Sequence, residues 1–487
     1  MIQSLKRMLR KYKHTGIFTL LFFACSALYS QENTAVPSYT LKQCVETALQ
    51  NNVDVNRSAF LAESGNVNVL QAKGNMLPFV SGNISHSFNQ GRSIDPYTNS
   101  YIDQKNTSAV YSLSASVYLW NAHSIQNNIR ASTLSYEASK MDLQQTKDNL
   151  TIYVILAYLQ VLSNQEQLNA AIQQVEVSKK QVERLSILDK EGAIAPATLY
   201  DLKGQLADNE LNVVTVKNSL ETAKLSLFQY MNVPYNTDVK LEELNTASSP
   251  VLYDATVDQI YQQALQQLGI IKAADLRKQS ADKALLSAKG QLYPSLTLNG
   301  GLGTNYSSVA ATQLLQSSAD VATNDYVLVN NDKLPVYATQ NNYSSQKISY
   351  GDQWKNNLNT YVGIGLQIPI LNALTARSRI NQAKITEKKT SFEAQATRIQ
   401  LRQAIEQAYV NMNTGYNRFQ KLNEQVEDFT ASFKAAEIKF NAGVGTSVDY
   451  LIAKNNLDRS NINLINAKYD YIIRTKVLDY YQSKPLW

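Results

Sequence analysis

Few residues of this chain are of the types and spacings that could do catalytic or metal chemistry. Of its three histidines, His14 lies in a basic run at the start, while His86 and His123 belong to different predicted elements. Neither has a cysteine or carboxylate at the spacing of a metal site. Residues 443–447 have the glycines of a phosphate-binding loop, but they lack its lysine and follow a predicted helix rather than a strand. The sequence therefore predicts no enzyme, no metal site and no cofactor.

The chain begins with the pattern of a secretory signal peptide. Basic residues from Lys6 to Lys13 precede the apolar run Ile17–Ala24, and small and polar residues follow it. We therefore expect residues 1–30 to direct export and to be removed. The same basic run supplies five of the formal +6 charges, so the rest of the chain is nearly neutral and has no nucleic-acid footprint.

Two cysteines are present, Cys25 within the predicted signal peptide and Cys44 beyond it. The residues around Cys25 also fit a lipoprotein cleavage site with Cys25 as the lipidated residue, although Phe22 stands where such sites prefer Leu. Cys44 would then have no disulfide partner, and we expect it to be a small buried residue on a helix.

The exported part of the chain consists of two copies of one unit. Ala72-Lys73-Gly74 recurs as Ala288-Lys289-Gly290, and farther along Asn121-Ala122 recurs as Asn372-Ala373. Other matched positions keep these two offsets without gaps. We assign the first copy to residues 37–231, a linker to 232–255, the second copy to 256–481 and a tail to 482–487.

Each copy predicts a helix that ends at Lys-Gly, a much longer helix, and a returning helix after a turn that contains glycine. The three lie at about 41–74, 120–189 and 198–231 in the first copy, and at about 257–290, 371–441 and 449–481 in the second. The long helix of the first copy has no Gly or Pro, and one apolar stripe along it consists of Leu168, Ile172, Val175, Val182 and Leu185. At about 1.5 Å per residue, this helix would be a rod of roughly 100 Å.

Two short segments in each copy, between the first helix and the long helix, alternate between apolar and small polar residues. This period of two predicts strands with one apolar face and one face in water. We expect the lumen-facing, wet side to carry Ser81, Asn83, Ser85, Ser112, Ser114, Ser116, Thr297, Asn299 and Gln367. His86 instead falls on the apolar face. The segment 305–357 is polar and rich in tyrosine, and its length predicts an exposed extracellular loop that is functional or mobile.

Strands of this length with one apolar face are typical of strands that cross a bilayer as a barrel wall. A barrel in lipid must close, because an open edge leaves backbone groups unpaired, and four strands cannot close around a channel. The pattern therefore predicts that several chains contribute to one barrel. The aromatic belt at the membrane surfaces would consist of Tyr111, Tyr118, Trp120, Tyr293, Tyr306 and Tyr361.

The signal peptide, the duplicated unit and the glycine turns resemble the TolC family of outer-membrane efflux and export proteins. The resemblance covers essentially the whole exported chain. It is sharpest in Phe440–Ala453, which is similar to the family's pattern of aromatic-x-x-Gly, Ser/Thr, Asp-x-Leu and Ala, and is looser at residues 192–202. It implies a mostly α-helical chain with a small β part, made of long antiparallel coiled-coil hairpins and four transmembrane strands. A homotrimer of such chains would complete a 12-stranded barrel and a helical tunnel.

The same resemblance implies a passive exit duct of a tripartite efflux or export system. The duct would lie in the outer membrane of a Gram-negative bacterium, with most of its helical part in the periplasm. Its partners would be a periplasmic adaptor protein and an inner-membrane pump, of the resistance-nodulation-division type in preference to an ATP-driven one. The alternative is a secreted coiled-coil scaffold or adhesin stalk without a pore, which would dissolve without detergent.

Residue by residue, the resemblance implies that Gly192, Gly443 and Ser447 contact the adaptor, and that Asp449 and Phe440 belong to the pore gate. In a trimer, Asp449 would present three carboxylates around the axis. Both glycines also fit a plain helix C-cap, and Asp449 also fits an N-cap.

Four positions depart from the polar links that often close the tip in this family. Phe440 stands in place of a tyrosine, Gly445 of an arginine, Ile452 of an acid and Thr198 of an aspartate. We therefore expect a closed tip to be held by packing rather than by polar links.

Overall fold

The computed structural model describes residues 38–94, 99–103, 105–243 and 251–486. The predicted signal peptide 1–30 and the candidate lipidation site Cys25 lie outside these residues. In chain order the elements are β1 (Ser38–Tyr39), α1 (Leu41–Asn51), α2 (Val53–Gly74), β2 (Phe79–Asn89), β3 (Arg92–Ile94), β4 (Tyr101–Asp103), β5 (Asn106–Trp120), α3 (Ser124–Lys190), α4 (Pro196–Met231), β6 (Lys240–Leu241), α5 (Val257–Gln267), α6 (Gly269–Gly290), β7 (Ser295–Ser307), β8 (Ala311–Val329), β9 (Asp332–Lys347), α7 (Tyr350–Asn356), β10 (Asn359–Gln367), α8 (Thr375–Asn441) and α9 (Ser447–Tyr481).

The first helix of each copy is divided in two, so the prediction of single helices over 41–74 and 257–290 is wrong. Asn52 is extended between α1 and α2, and its side-chain oxygen accepts the backbone N–H of Asp54 at 2.9 Å. Leu268 has the same conformation between α5 and α6. It precedes Gly269, where an added Cβ would lie 2.7 Å from the carbonyl oxygen of Met141 on α3. The break lets the second segment lie directly against the long helix.

Strands β10, β7, β5 and β2 form one antiparallel sheet in that order. The register places Ser81 opposite Ser114 and Ser116 opposite Asn299, and directly opposed residues share a face of the sheet. By this register, all nine polar residues of the predicted wet side lie on one face. The opposite face carries the apolar positions Val80, Ile84, Leu113, Val117, Leu298, Leu302, Ile364 and Leu366.

The register divides the predicted aromatic belt between the two faces. Tyr118 is opposite Thr297, and Tyr361 is opposite Gly301, so both tyrosines belong to the polar face. A Cβ added to Gly301 would lie 2.7 Å from the ring of Tyr361, because that ring covers the glycine. Tyr111 is on the apolar face, opposite Ile84. The expectation that Tyr118 and Tyr361 share one aromatic belt with Tyr111 is therefore wrong.

The long helices α3 and α8 each contain 67 residues, which corresponds to about 100 Å. Each folds back along its returning helix, α4 or α9. Next to the sheet, α2 packs on α3, α3 on α6 and α6 on α8, in the order of the strands that these helices adjoin. Within the described ranges, no helix combines the length and apolar character needed to cross a membrane.

In the described residues, three apolar clusters hold the helices together. The largest surrounds Tyr158 on α3, whose hydroxyl donates to the carbonyl oxygen of Glu242 at 2.6 Å. This bond joins the linker between the two copies to the long helix, and β6 of that linker pairs with β1 in parallel. Cys44 is fully buried in the same cluster, as its position on a helix predicted.

The predicted apolar stripe of α3 is buried only in part. Val175 and Leu185 are buried, whereas Ile172 is 45% exposed. The neighbouring Ala171 is fully buried in its place, with Ser178 farther along. The buried stripe therefore includes small residues that the apolar pattern did not single out, because small side chains let helices approach closely.

The segment 305–357 is folded rather than a loop. Strands β8 and β9 form an antiparallel hairpin, and the short helix α7 connects it to β10. Most side chains of the hairpin are exposed, as predicted. Its alternation is hard to see in the sequence because register shifts occur between Leu315 and Ser317 and between Ala322 and Tyr326.

Candidate functional site

The turn between α3 and α4 depends on one glycine. Gly192 has a φ of +65°, a conformation that a residue with a Cβ rarely adopts. Its N–H donates to the carbonyl oxygen of Asp189 at 3.0 Å, and the N–H of Ala193 donates to that of Leu188 at 2.8 Å. These bonds satisfy the last carbonyls of α3, so Gly192 is the exposed left-handed residue that follows the C-cap Glu191 and ends the helix.

The turn between α8 and α9 repeats this design with an additional glycine. Gly443 has a φ of +75°. The N–H groups of Val444 and Gly445 both donate to the carbonyl oxygen of Lys439, each at 3.1 Å. A Cβ added to Gly445 would lie 3.1 Å from the backbone nitrogen of Phe440, so this second glycine permits a close approach.

The N-cap of α9 is Thr446, so the interpretation of Asp449 as the N-cap is wrong. The Thr446 hydroxyl oxygen accepts the N–H of Asp449 at 3.1 Å, and the hydroxyl donates to the Asp449 carboxylate at 2.7 Å. Asp449 is the third residue of the helix, where a negative charge favours the helix N-terminus. The carboxylate remains exposed, and Ser447 beside it is half-buried.

An apolar cluster joins the ends of the two helical hairpins, and we call it the tip cluster. It contains the buried residues Leu185, Leu199, Leu202 and Tyr450, with Val182, Leu188, Ile194, Phe433, Phe440 and Leu451 packed against them. Because its members come from α3, α4, α8 and α9, both glycine turns lie at the same end of the molecule. Phe440 is half-buried here and stacks on the ring of Tyr450, with ring centroids 4.9 Å apart.

Tyr450 is the centre of the tip cluster. Its side chain is fully buried, and its hydroxyl has no hydrogen-bond partner within the described part of the chain. Burial raises the pKa of this phenol to about 12, and the negative charges of Glu437 and Asp458 add to the rise, whereas the neighbouring Gln181 side chain and the positive charge of Arg184 lower it. The phenol is therefore neutral at physiological pH and acts as an aromatic core residue.

Polar contacts also join the two hairpins, and sequence analysis missed them. The Arg184 guanidinium on α3 donates to the side-chain oxygen of Asn441 on α8. Asn455 on α9 donates to the side-chain oxygen of Gln205 on α4 at 3.2 Å. The two residues of each pair lie far apart in the chain, so no local pattern indicates the contact. The resemblance to the TolC family points to other positions for polar links at the tip, and this chain has different residues there. Packing and polar contacts therefore both join the two hairpins of one chain, and the expectation that packing holds a closed tip stays a prediction.

Comparisons with known proteins agree with this architecture. The family model described as "Outer membrane efflux protein" matches residues 44–233 and 260–479, one range in each predicted copy. The chain is similar to outer membrane protein TolC of Escherichia coli strain K12, with 21% identity over 436 residues, 89% of this chain and 80% of that protein. It is also similar to TolC of Vibrio cholerae serotype O1, with 23% identity over 345 residues, 70% of this chain and 69% of that protein.

Solved structures share the fold. The outer-membrane channel OprN matches with a TM-score of 0.70 and 16% identity, over 92% of this chain and 90% of that one. The CmeC outer membrane channel of Campylobacter jejuni matches with a TM-score of 0.67 and 18% identity, over 91% and 85%.

The family match covers most of the chain and favours the exit duct over the secreted scaffold. The comparisons confirm the prediction that the protein lies in the outer membrane of a Gram-negative bacterium. They also confirm the prediction that it is not an enzyme. The chain belongs to the outer membrane efflux protein family, and it is a channel protein of the outer membrane.

Proposed function

We propose that three copies of this chain form a passive exit duct that receives its cargo from a periplasmic adaptor and an inner-membrane pump. The observation that carries the proposal is that one chain has two uncovered edges in its sheet and two in its helical layer. Each uncovered edge strand adjoins an uncovered edge helix. A pump of the resistance-nodulation-division type is favoured over an ATP-driven one by the resemblance to the TolC family. The duct itself has no catalytic step, so the energy would come from the pump.

The two edges of the sheet support closure by further copies. Among the strands that the structure describes, β2 and β10 each pair on one side only, whereas β5 and β7 pair on both sides. Unpaired edges are costly in lipid, since the bilayer core has no water to satisfy the backbone. Pairing β2 of one copy with β10 of the next would give 12 strands in a trimer, with the polar face inside the barrel.

The helical layer has two matching edges, α2 and α8. On α2, Val53, Phe60 and Val67 recur every seven residues and are exposed, Phe60 by 68%. On α8, Ile385, Phe392 and Ile399 have the same spacing, and Phe392 is 72% exposed. A repeat of seven is the spacing at which helices pack along a coiled-coil seam. Each stripe therefore fits the other stripe of a neighbouring copy.

The glycine turns support contact with an adaptor at the tip. The α3–α4 and α8–α9 hairpins place Gly192, Gly443 and Ser447 at the end of the molecule far from the sheet. These turns are exposed to solvent, and so are some of their backbone groups. We infer that the adaptor binds the turns. Asp449 beside them would form a ring of three carboxylates, which attracts cations at a constriction. Phe440 would act in the gate through its packing on Tyr450.

Replacing Gly443 by Ile tests the docking assignment. The φ of +75° at Gly443 is unfavourable for a β-branched residue, so the turn would change shape while the rest of the fold remains. We expect efflux to be abolished in a strain that depends on this duct, while membrane insertion and the trimer persist. Efflux would be measured as accumulation of a fluorescent substrate.

Gly204→Ile is the matched control, because Gly204 is exposed on α4 with open space around it and an ordinary φ. It should leave efflux unchanged. Efflux that survives Gly443→Ile, in a strain where deletion of the whole chain abolishes it, contradicts the docking assignment. A purified protein that stays soluble and monomeric without detergent contradicts the proposed duct altogether.

A further inference from the structure

The β8–β9 hairpin is the largest feature that the proposed duct does not use. Its strands contain 19 and 16 residues, so at about 3.3 Å per residue it extends roughly 50–60 Å. It ends in a two-residue turn in which Asn330 and Asn331 both have positive φ, 52° and 75°. Asparagine tolerates this conformation, and such turns match the twist of a hairpin. The hairpin is therefore a regular element with a defined end.

The base of the hairpin is fixed to the sheet. Gln353 on α7 is 1% exposed, and its amide donates to the carbonyl oxygens of Ser307 and Ile348, each at 3.0 Å. Its side-chain oxygen accepts the N–H of Ser307 at 2.8 Å. The N–H of Ile348 also donates to the carbonyl oxygen of Ala310 at 3.0 Å, directly below the first hairpin pair. A buried glutamine with three backbone partners holds the hairpin in one direction relative to β7.

Beyond this base, no other described element covers the hairpin extensively. Among the described elements, β8 and β9 make extensive contact only with each other, and most of their side chains are exposed. An isolated two-stranded ribbon is at best marginally stable in water, and it needs a third strand or a packed face. The hairpin also has two open edges, which are ready to pair with another chain.

Near its far end the hairpin carries apolar residues on both faces, although its last two pairs include Asp332 and Lys333, and the Lys333 ammonium lies 4.3 Å from the centre of the Tyr326 ring. Val327 is opposite Leu334 on one face, and on the other face Tyr326 is opposite Pro335. Val327, Leu334 and Tyr326 are about half exposed. Residues 311–347 contain three aspartates and two lysines, so copies of this segment repel each other little. Apolar surface of this kind at an exposed end indicates a contact with another protein surface.

We propose that the β8–β9 hairpins of the three copies associate with one another above the membrane and continue the duct outward. The inference rests on the proposed trimer. The hairpin is inserted between β7 and β10, and β10 is the edge strand that would meet the next copy. Three fixed hairpins would therefore rise beside the three boundaries between copies, where their uncovered faces and edges can meet. The occupant of the apolar end is thus a second copy of the same chain.

Crosslinking of the full-length chain in detergent tests this inference. A photoreactive benzoylphenylalanine would replace Val327 in one variant and Tyr326 in another, to probe both faces. Irradiation should give adducts that contain only this chain and that survive denaturing electrophoresis as dimers or trimers. Absence of such adducts from an intact trimer, or adducts in cells to another surface protein alone, would overturn the inference.

A second test replaces Ala311–Lys347 by Asn-Gly, because Ala310 and Ile348 are already hydrogen bonded and a two-residue turn can join them. The shortened chain should still form conducting trimers, but these should dissociate at a lower temperature than the full-length trimer. Val327→Asp with Leu334→Asp should act similarly. The control, Ser317→Asp with Asn342→Asp, places the same charges on a directly opposed pair nearer the base and should have a smaller effect.

The two failures are distinguishable. A full-length chain that forms no trimer in detergent contradicts the proposed function. A full-length trimer that gives no hairpin adducts, or whose dissociation temperature is unchanged by the deletion, contradicts only the association of the hairpins.

Discussion

At the scale of single residues, the tip combines a polar cap with an aromatic core. At the start of α9, the Thr446 hydroxyl accepts the backbone N–H of Asp449 and donates to the Asp449 carboxylate. Asp449 therefore has a structural partner as well as an exposed charge. Tyr450, the next residue, lies about 100° farther around the helix and is fully buried. Adjacent residues of α9 therefore serve two purposes: the Asp449 carboxylate faces water, and the Tyr450 ring packs between the two hairpins.

Tyr450 provides the residue-scale prediction. Tyr450→Phe removes a buried hydroxyl that has no partner in the described chain, so the tip should be as stable as before or slightly more stable. Tyr450→Ala leaves a cavity in the tip cluster, which for an aromatic side chain costs roughly 3–5 kcal/mol. We expect the Ala variant to increase the closed-state conductance in planar bilayers and the Phe variant to leave it unchanged. Equal conductance of all three proteins would contradict a gate held by this cluster.

At the scale of elements, the exposed stripes of α2 and α8 have a spacing that only a partner helix explains. A helix that stays in water has no reason to place Phe60 between Val53 and Val67 at steps of seven residues. Inside the chain, α2 uses a different side, with Val55, Ala62 and Val69, to pack on α3. The edge helix α2 therefore has two apolar stripes, one for its own chain and one that is uncovered.

Phe60→Glu tests the uncovered stripe. Burying a phenylalanine contributes roughly 1.5–3 kcal/mol, and a trimer would lose this at three boundaries. We expect the variant to fold but to give mainly monomers on size-exclusion chromatography in detergent. Asn66→Glu adds the same charge at an exposed polar position of α2 outside the stripe and should leave the trimer intact. Trimers of normal stability with Phe60→Glu would show that α2 does not lie at the boundary.

At the scale of the whole molecule, the sheet and the helical layer have their elements in the same order. The order β2, β5, β7, β10 in the sheet corresponds to α2, α3, α6, α8 in the helical layer. This correspondence follows from the duplication, since each copy contributes two strands and the two helices that adjoin them. One rotation of the chain about an axis would therefore close both layers at once.

The two faces of β5 give the prediction at this scale. Leu113→Lys places a charge on the apolar face, which costs roughly 2–4 kcal/mol near the centre of a bilayer, so we expect loss of insertion into the outer membrane. Ser114→Lys, one residue farther, places the same charge on the polar face. It should insert normally and shift the ion selectivity of the purified channel toward anions. Identical behaviour of the two variants would contradict the assignment of the faces.

The sequence alone determined the duplication, the order of the long helices and of the four strands of the main sheet, and the two faces of that sheet. These features depend on periodicity, which is a local property: a period of two sorts strand residues such as Ser81 and Ile84 whatever the neighbouring strand is. The long helices follow for the same reason from their apolar stripe and from the scarcity of helix-breaking residues.

Only the tertiary structure decided the features that depend on contacts between distant segments. The break at Leu268 exists where Gly269 meets Met141 on another helix, and nothing in the local sequence indicates that contact. The same holds for the bond between Arg184 and Asn441. Thr446 and Asp449 are both good N-cap residues, and the backbone conformation at the turn decided between them. Local pattern fixes which elements form and which way they face, whereas their breaks, caps and links depend on the partners that the fold brings together.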